Sequence, residues 1–110
     1  MALITLDEAK NYLRVDTSDD DDLIGILLSS ACRLCADVAR LSNEQWAVVD
    51  GGDNASALYT EDELLHVQEV MRVAVLYSLG YLYEHREEAD HHDLTMTLRS
   101  LLFAIREGAW

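Results

Sequence analysis

The chain predicts an all-α single domain, and three observations carry that prediction. Proline, which breaks helix interiors, is absent from all 110 residues. Long stretches repeat apolar residues at three- and four-residue spacing, the period of a helix with one face buried. A Thr or Ser is followed three residues later by Glu or Gln ahead of three helical segments: Thr5 with Glu8, Ser42 with Gln45, and Thr60 with Glu63. That pairing satisfies two otherwise orphaned backbone N–H groups and marks a helix start. Four principal helices are predicted, near residues 5–14, 19–41, 61–87 and 93–107.

The first helix follows the Thr5–Glu8 box and places Leu6, Ala9 and Leu13 on one docking face. The acidic run Asp16–Asp22 leads directly into Leu23 and Ile24. Carboxylates are favoured in a first helical turn by the exposed N–H groups and the dipole, so the run reads as a helix start capped by Thr17 or Ser18. The second helix carries two adjacent apolar stripes, Leu27-Ala31-Leu34-Val38-Leu41 and Ile24-Leu28-Cys32-Cys35-Ala39, with Arg33, Asp37 and Arg40 on the wetter side.

Ser42 and Gln45 add a helical turn bearing Trp46, and Asp50–Ser56 is the flexible-looking segment, predicted to be mobile. Val48-Val49 and Ala57-Leu58-Tyr59 on its flanks read either as a short hairpin at 48–59 or as an irregular loop. The third principal helix is the centre of the chain. Between Val70 and Tyr83 only Arg72, Ser78 and Gly80 interrupt apolar or aromatic residues, so this helix calls for neighbours on nearly every side. It is too short in apolar length to span a bilayer, which takes about 18 residues, and Arg72 sits inside it. Ala89–Asp93 forms a polar joint to the last helix, where Leu94, Leu98, Leu101, Leu102 and Ile105 share a face and Gly108 supplies a stop.

The totals narrow the function. A net charge of −13 opposes binding to nucleic-acid phosphates or anionic lipid by attraction. The charged first fifteen residues do not read as a signal peptide, and two cysteines in one helix do not make a disulfide framework. Cys32 and Cys35 have CxxC spacing, and His91-His92 is the one pairing that resembles a zinc site. A second ordered ligand pair is lacking, and both cysteines lie on an apolar stripe in mid-helix rather than at the N-terminus that activates a thiol. They are predicted to be buried and reduced. Matched to a calcium loop, the acidic run puts Asp21 at the glycine position and Leu27 at the glutamate position, so that reading fails. His66 and Glu84-His85-Arg86-Glu87 lack a nucleophile or an orienting partner at any recognisable spacing. Tyr77, Tyr81 and Tyr83 with Arg72 suit a core or a subunit interface better than base stacking. No catalytic, cofactor-binding or metal-ligating residue is assigned.

Taken in order, the segments do resemble a known family. LITLDEAKNYLRVDTSDDDDLIGILLSSA is a capped short helix, then LRVD, an acidic run and a long amphipathic helix. VAVLYSLGYLYEHRE, ending in Tyr83-Glu84-His85-Arg86-Glu87, and the closing LLFAIREG complete the pattern. This is similar to the head–tail connector (adaptor) proteins of long-tailed phages and prophages. It leaves Ser42–Tyr59 uncovered and lacks the proline that many members carry before the last helix. The resemblance implies a structural virion protein: an all-helical subunit of a ring of about a dozen copies, closed by repeated contacts. The ring would join the portal at the capsid vertex to head-closure or tail proteins after assembly in the bacterial cytoplasm, and DNA would pass without specific binding. An acidic collar suits such a channel, because phosphate contacts are what make DNA stick. From the residues alone, the alternative is a small acidic regulatory or inhibitor protein that binds a basic partner.

Overall fold

The computed structural model describes residues 3–51, 58–85 and 92–103. It contains α1 (Leu6–Leu13), α2 (Asp21–Val38), α3 (Asn43–Val49), α4 (Glu61–Glu84) and α5 (His92–Leu101), with no strand among the described residues. All three capping boxes form. The Glu8 N–H donates to Thr5 Oγ1 at 3.2 Å and the Thr5 N–H donates to Glu8 Oε1 at 3.2 Å. The same reciprocal bonds join Ser42 to Gln45 and Thr60 to Glu63.

Both ends of α2 differ from the sequence reading. Its N-cap is Asp20 rather than Thr17 or Ser18, and no side chain makes a capping bond. The Asp20 carboxylate instead accepts the Tyr83 hydroxyl at 3.2 Å, tying the start of α2 to the end of α4. At the other end Arg40 adopts a left-handed φ of 57°, and the helix closes there instead of reaching Leu41. The Leu41 N–H donates to Ala36 O and the Arg40 N–H to Asp37 O, which satisfies two terminal carbonyls. Arg14 closes α1 in the same way at φ 60°, so two arginines occupy positions that usually favour glycine.

The hairpin reading is overturned. Val48 and Val49 are the last residues of α3, both buried, so the first arm is helical. Tyr59 packs into the core, and residues 52–57, most of the predicted mobile loop, lie outside the described part. β-branched propensity lost here to a good N-terminal cap and to burial in tertiary contact. The last turn of the third principal helix and the tail of the fourth, from residue 104, also lie outside it.

The core is the seam between α2 and α4. Ala31, Cys35 and Ala39 face it from α2, and Ala74 and Ser78 from α4. These small side chains let the two backbones approach, so Cys35 Sγ lies 3.3 Å from Ser78 Oγ. Ser78 donates its proton to Ala74 O at 2.8 Å, which leaves its lone pairs to accept the Cys35 S–H. The seam therefore runs between the two predicted stripes of α2. Larger residues, among them Met71, Leu79, Leu94 and Leu98, fill the space around it.

Polar residues of α4 hold the smaller elements in place. Arg72 donates to Leu3 O and pairs with Glu8, while Asp50 Oδ1 accepts the Leu3 N–H at 3.0 Å. Gln68 donates to Val49 O at 3.2 Å and satisfies the end of α3. Lys10 pairs with Asp21 at 2.8 Å, joining α1 to α2. Glu8 is held below the usual carboxylate range, first by the Arg72 hydrogen bond and then by the Thr5 N–H.

Candidate assembly surfaces

The domain measures 40 × 29 × 19 Å. A helix with its side chains is about 10 Å thick, so the thinnest dimension holds two layers of helix. In two layers no helix can be covered on every side. The helix whose apolar residues are spread nearly all round, α4, therefore keeps an open ridge.

That ridge is Leu65, Glu69, Val73 and Tyr77, spaced by four residues along one line of the helix. Leu65 is 59% exposed and Val73 58%. Tyr77 turns toward α1, where Tyr12, Gly80, Tyr81 and Glu84 line the same groove of about 520 Å³. Gly80 is its floor: a Cβ there would come within 3.2 Å of the Tyr12 ring. Leu6, expected on the docking face of α1, is 37% exposed, while Ala9 is fully buried.

Three further large apolar residues are open: Ile26 on α2 is 65% exposed, and Met96 on α5 and Phe103 just past its end are 50% and 58% exposed. Ile26 belongs to neither apolar stripe of α2, and that off-stripe position was its signal in the sequence. Met96 and Phe103 had a similar signal, because they fall off the Leu94-Leu98-Leu102 line that is buried.

The groups considered for chemistry are not brought together. Cys35 is buried in the seam and Cys32 is partly buried beside it. Burial pushes the Cys32 thiol up to about 12, with Asp50 and Cys35 adding to the rise, and pushes Cys35 up to about 11 against the lowering effect of Ser78. Neither is activated as a nucleophile or ligand. His66 is exposed at the start of α4, and the His85 ring lies 4.4 Å from that of Tyr81 at its end. His91, the His92 side chain, Arg86 and Glu87 lie outside the described residues, among which no metal-binding cluster of His, Cys, Asp or Glu occurs. No helix of the described part is long and apolar enough to cross a membrane.

The thiols make a pH prediction with a definite sign. The Cys35 pKa in the folded chain lies above its ordinary value of 9.0. Its contribution to stability is thus complete below about pH 9 and is lost as pH rises through 11. Two units correspond to about 3 kcal/mol at most. Urea midpoints at pH 8 and pH 10.5 should fall further for the wild type than for Cys35→Ala. Equal falls would show that the thiol does not carry the effect.

The described residues thus form a two-layer helical slab with an open apolar ridge on α4 and a tyrosine groove beside it. Comparison with known families finds a match. The model for the phage gp6-like head–tail connector protein matches residues 3–107, including the Ser42–Tyr59 stretch that the motif resemblance left out. The chain belongs to the phage gp6-like head–tail connector family. No curated protein and no solved structure matches it significantly.

Proposed function

We propose that this chain is one subunit of an oligomeric ring of about a dozen copies. The ring joins the portal at the capsid vertex to head-closure or tail proteins and lets DNA pass through its channel. The observation that carries the reading is the family match over residues 3–107, which makes a connector role in the phage particle the function to explain. The open ridge of α4 supplies the physical motive: burying apolar surface contributes about 25 cal/mol per Å², and Leu65 and Val73 are 59% and 58% exposed in the single subunit. The net charge of −13 suits a channel wall that repels phosphate.

The same charge sets how assembly responds to salt. Subunits that each carry −13 repel over distances that about 0.15 M salt screens, with a Debye length near 8 Å. Light scattering across protein concentration should show association that strengthens as salt is raised from low ionic strength, and negative-stain images should show rings. A sharp dimer under all conditions would instead favour an acidic regulator of a basic partner. A strict monomer at high concentration, at both low and high salt, would count against a ring that forms without the portal.

A further inference from the structure

The charges of this chain are sorted along α2. Of the described basic residues, Lys10 and Arg72 are used inside the domain, on Asp21 and Glu8. Arg14, Arg33, Arg40 and Arg99 are exposed, with no carboxylate partner among the described residues. Arg14 lies beside the acidic run before α2, and the other three lie toward the far end of that helix. Arg40 and Arg99 line one hollow of about 230 Å³ with Asp37, and Arg33 stands one turn before Asp37 on the same helix. Asp37 lies among these three guanidinium groups and Asp50, which lines a second hollow with Arg33, is engaged by the Leu3 N–H, so the patch keeps a positive excess on a chain with 21 acidic residues and 8 basic ones.

The opposite end of α2 mirrors it. Within the Asp16–Asp22 run, Asp20 accepts the Tyr83 hydroxyl and Asp21 holds Lys10. Asp16, Asp19 and Asp22 are exposed and have no partner among the described residues. The free carboxylates lie at or before the first turn of α2 and the three guanidinium groups toward its far end, with Asp22 and Arg33, the nearest of them along the helix, about 16 Å apart along its axis. One copy set behind another along that axis brings the two ends together. The contact joins unlike surfaces, which is the kind that repeats around a ring.

We propose that the Arg33–Arg40–Arg99 face receives the Asp16–Asp22 segment of a second copy of this chain. The proposal rests on the ring-subunit reading above and names the groups that join neighbours. Guanidinium–carboxylate bonds act at contact distance and are screened less than repulsion between whole subunits, so they set register while the apolar ridge adds area. The patch does not suit a nucleic acid, because the rest of the surface repels phosphate.

Charge exchange tests it. Arg33→Glu/Arg99→Glu reverses the basic face and leaves Arg40, whose backbone closes α2. Asp16→Lys/Asp19→Lys reverses the acidic segment. Circular dichroism should show both variants folded, since all four positions are exposed. Under conditions where the wild type associates, each variant alone should stay a single subunit. An equal mixture should recover the wild-type mass, because native and exchanged contacts alternate around the assembly. Both variants keep a net negative charge, so bulk attraction cannot explain the recovery. Wild-type association by both single variants, or a mixture that stays monomeric, would overturn the proposal and leave the ring reading standing. A wild type that never associates would overturn the proposal together with any ring that forms without the portal. Duplex DNA binding by the wild type that Arg33→Glu/Arg99→Glu abolishes would assign the arginines to phosphate instead.

Discussion

Replacing Leu79 by alanine should cost about 3 kcal/mol and lower the melting temperature by about 15 °C. Leu79 has no exposed surface and lies on α4 between Val75 and Leu82, which also face the core. Truncating it removes transfer free energy and leaves a cavity that α2, held close by Cys35 and Ser78, cannot collapse to fill. A domain of this size has only about 5–15 kcal/mol of total stability, so the variant should be partly unfolded at physiological temperature. Leu65→Ala is the internal control, with the same side chain on the same helix but 59% exposed. Its effect on the isolated subunit should stay within about 0.5 kcal/mol. Urea melts of the two variants at low protein concentration check the contrast. Equal losses would mean that the open side of α4 is covered within the chain after all.

The opposite pattern is expected for assembly when Val73 is replaced by aspartate. Val73 is 58% exposed in the single subunit, and aspartate and valine have similar helix propensities, so folding should change by less than about 0.5 kcal/mol. If the ridge is covered by a neighbour, the same carboxylate must be buried without a partner, which costs several kcal/mol. A cost of about 4 kcal/mol per contact weakens association about 1000-fold and should leave single subunits at concentrations where the wild type assembles. Asn11→Asp adds the same charge at an exposed position on α1 and separates local burial from general repulsion. Light scattering on the three proteins reads the result. Association by Val73→Asp equal to that of Asn11→Asp would remove the α4 ridge from the interface.

The two predictions divide α4 into a side that holds the fold and a side that holds the assembly. The sequence showed that such a division had to exist, because the helix is apolar nearly all round, but it did not show where it fell. Val73 and Val75 are the same residue two positions apart; one is more than half exposed and the other fully buried. Arg72 is a similar case. Basic residues are few among many carboxylates, so Arg14, Arg33, Arg72 and Arg86 are each, by sequence, candidates for pairing across a subunit boundary, whereas Arg72 is already committed to Leu3 O and Glu8 within the chain. Arg14 and Arg33 remain open to outside partners.

What the sequence determined by itself was whatever acts within about four residues along the chain. The all-α class, the three reciprocal caps and the apolar spacing of α2, α4 and α5 all rest on such short-range bonds and periods. The burial of Cys35, and in part of Cys32, was legible for the same reason, since it follows from their place on an apolar stripe in mid-helix. Tertiary structure alone decided the rest. It turned Val48-Val49 into helix, diverted Asp20 from capping to Tyr83, and ended two helices on arginines in the left-handed region. Each of these outcomes depends on a partner tens of residues away or on closure against the packed core. Two layers, 19 Å deep, then leave one side of α4 in water, because the described residues supply no third layer to cover it.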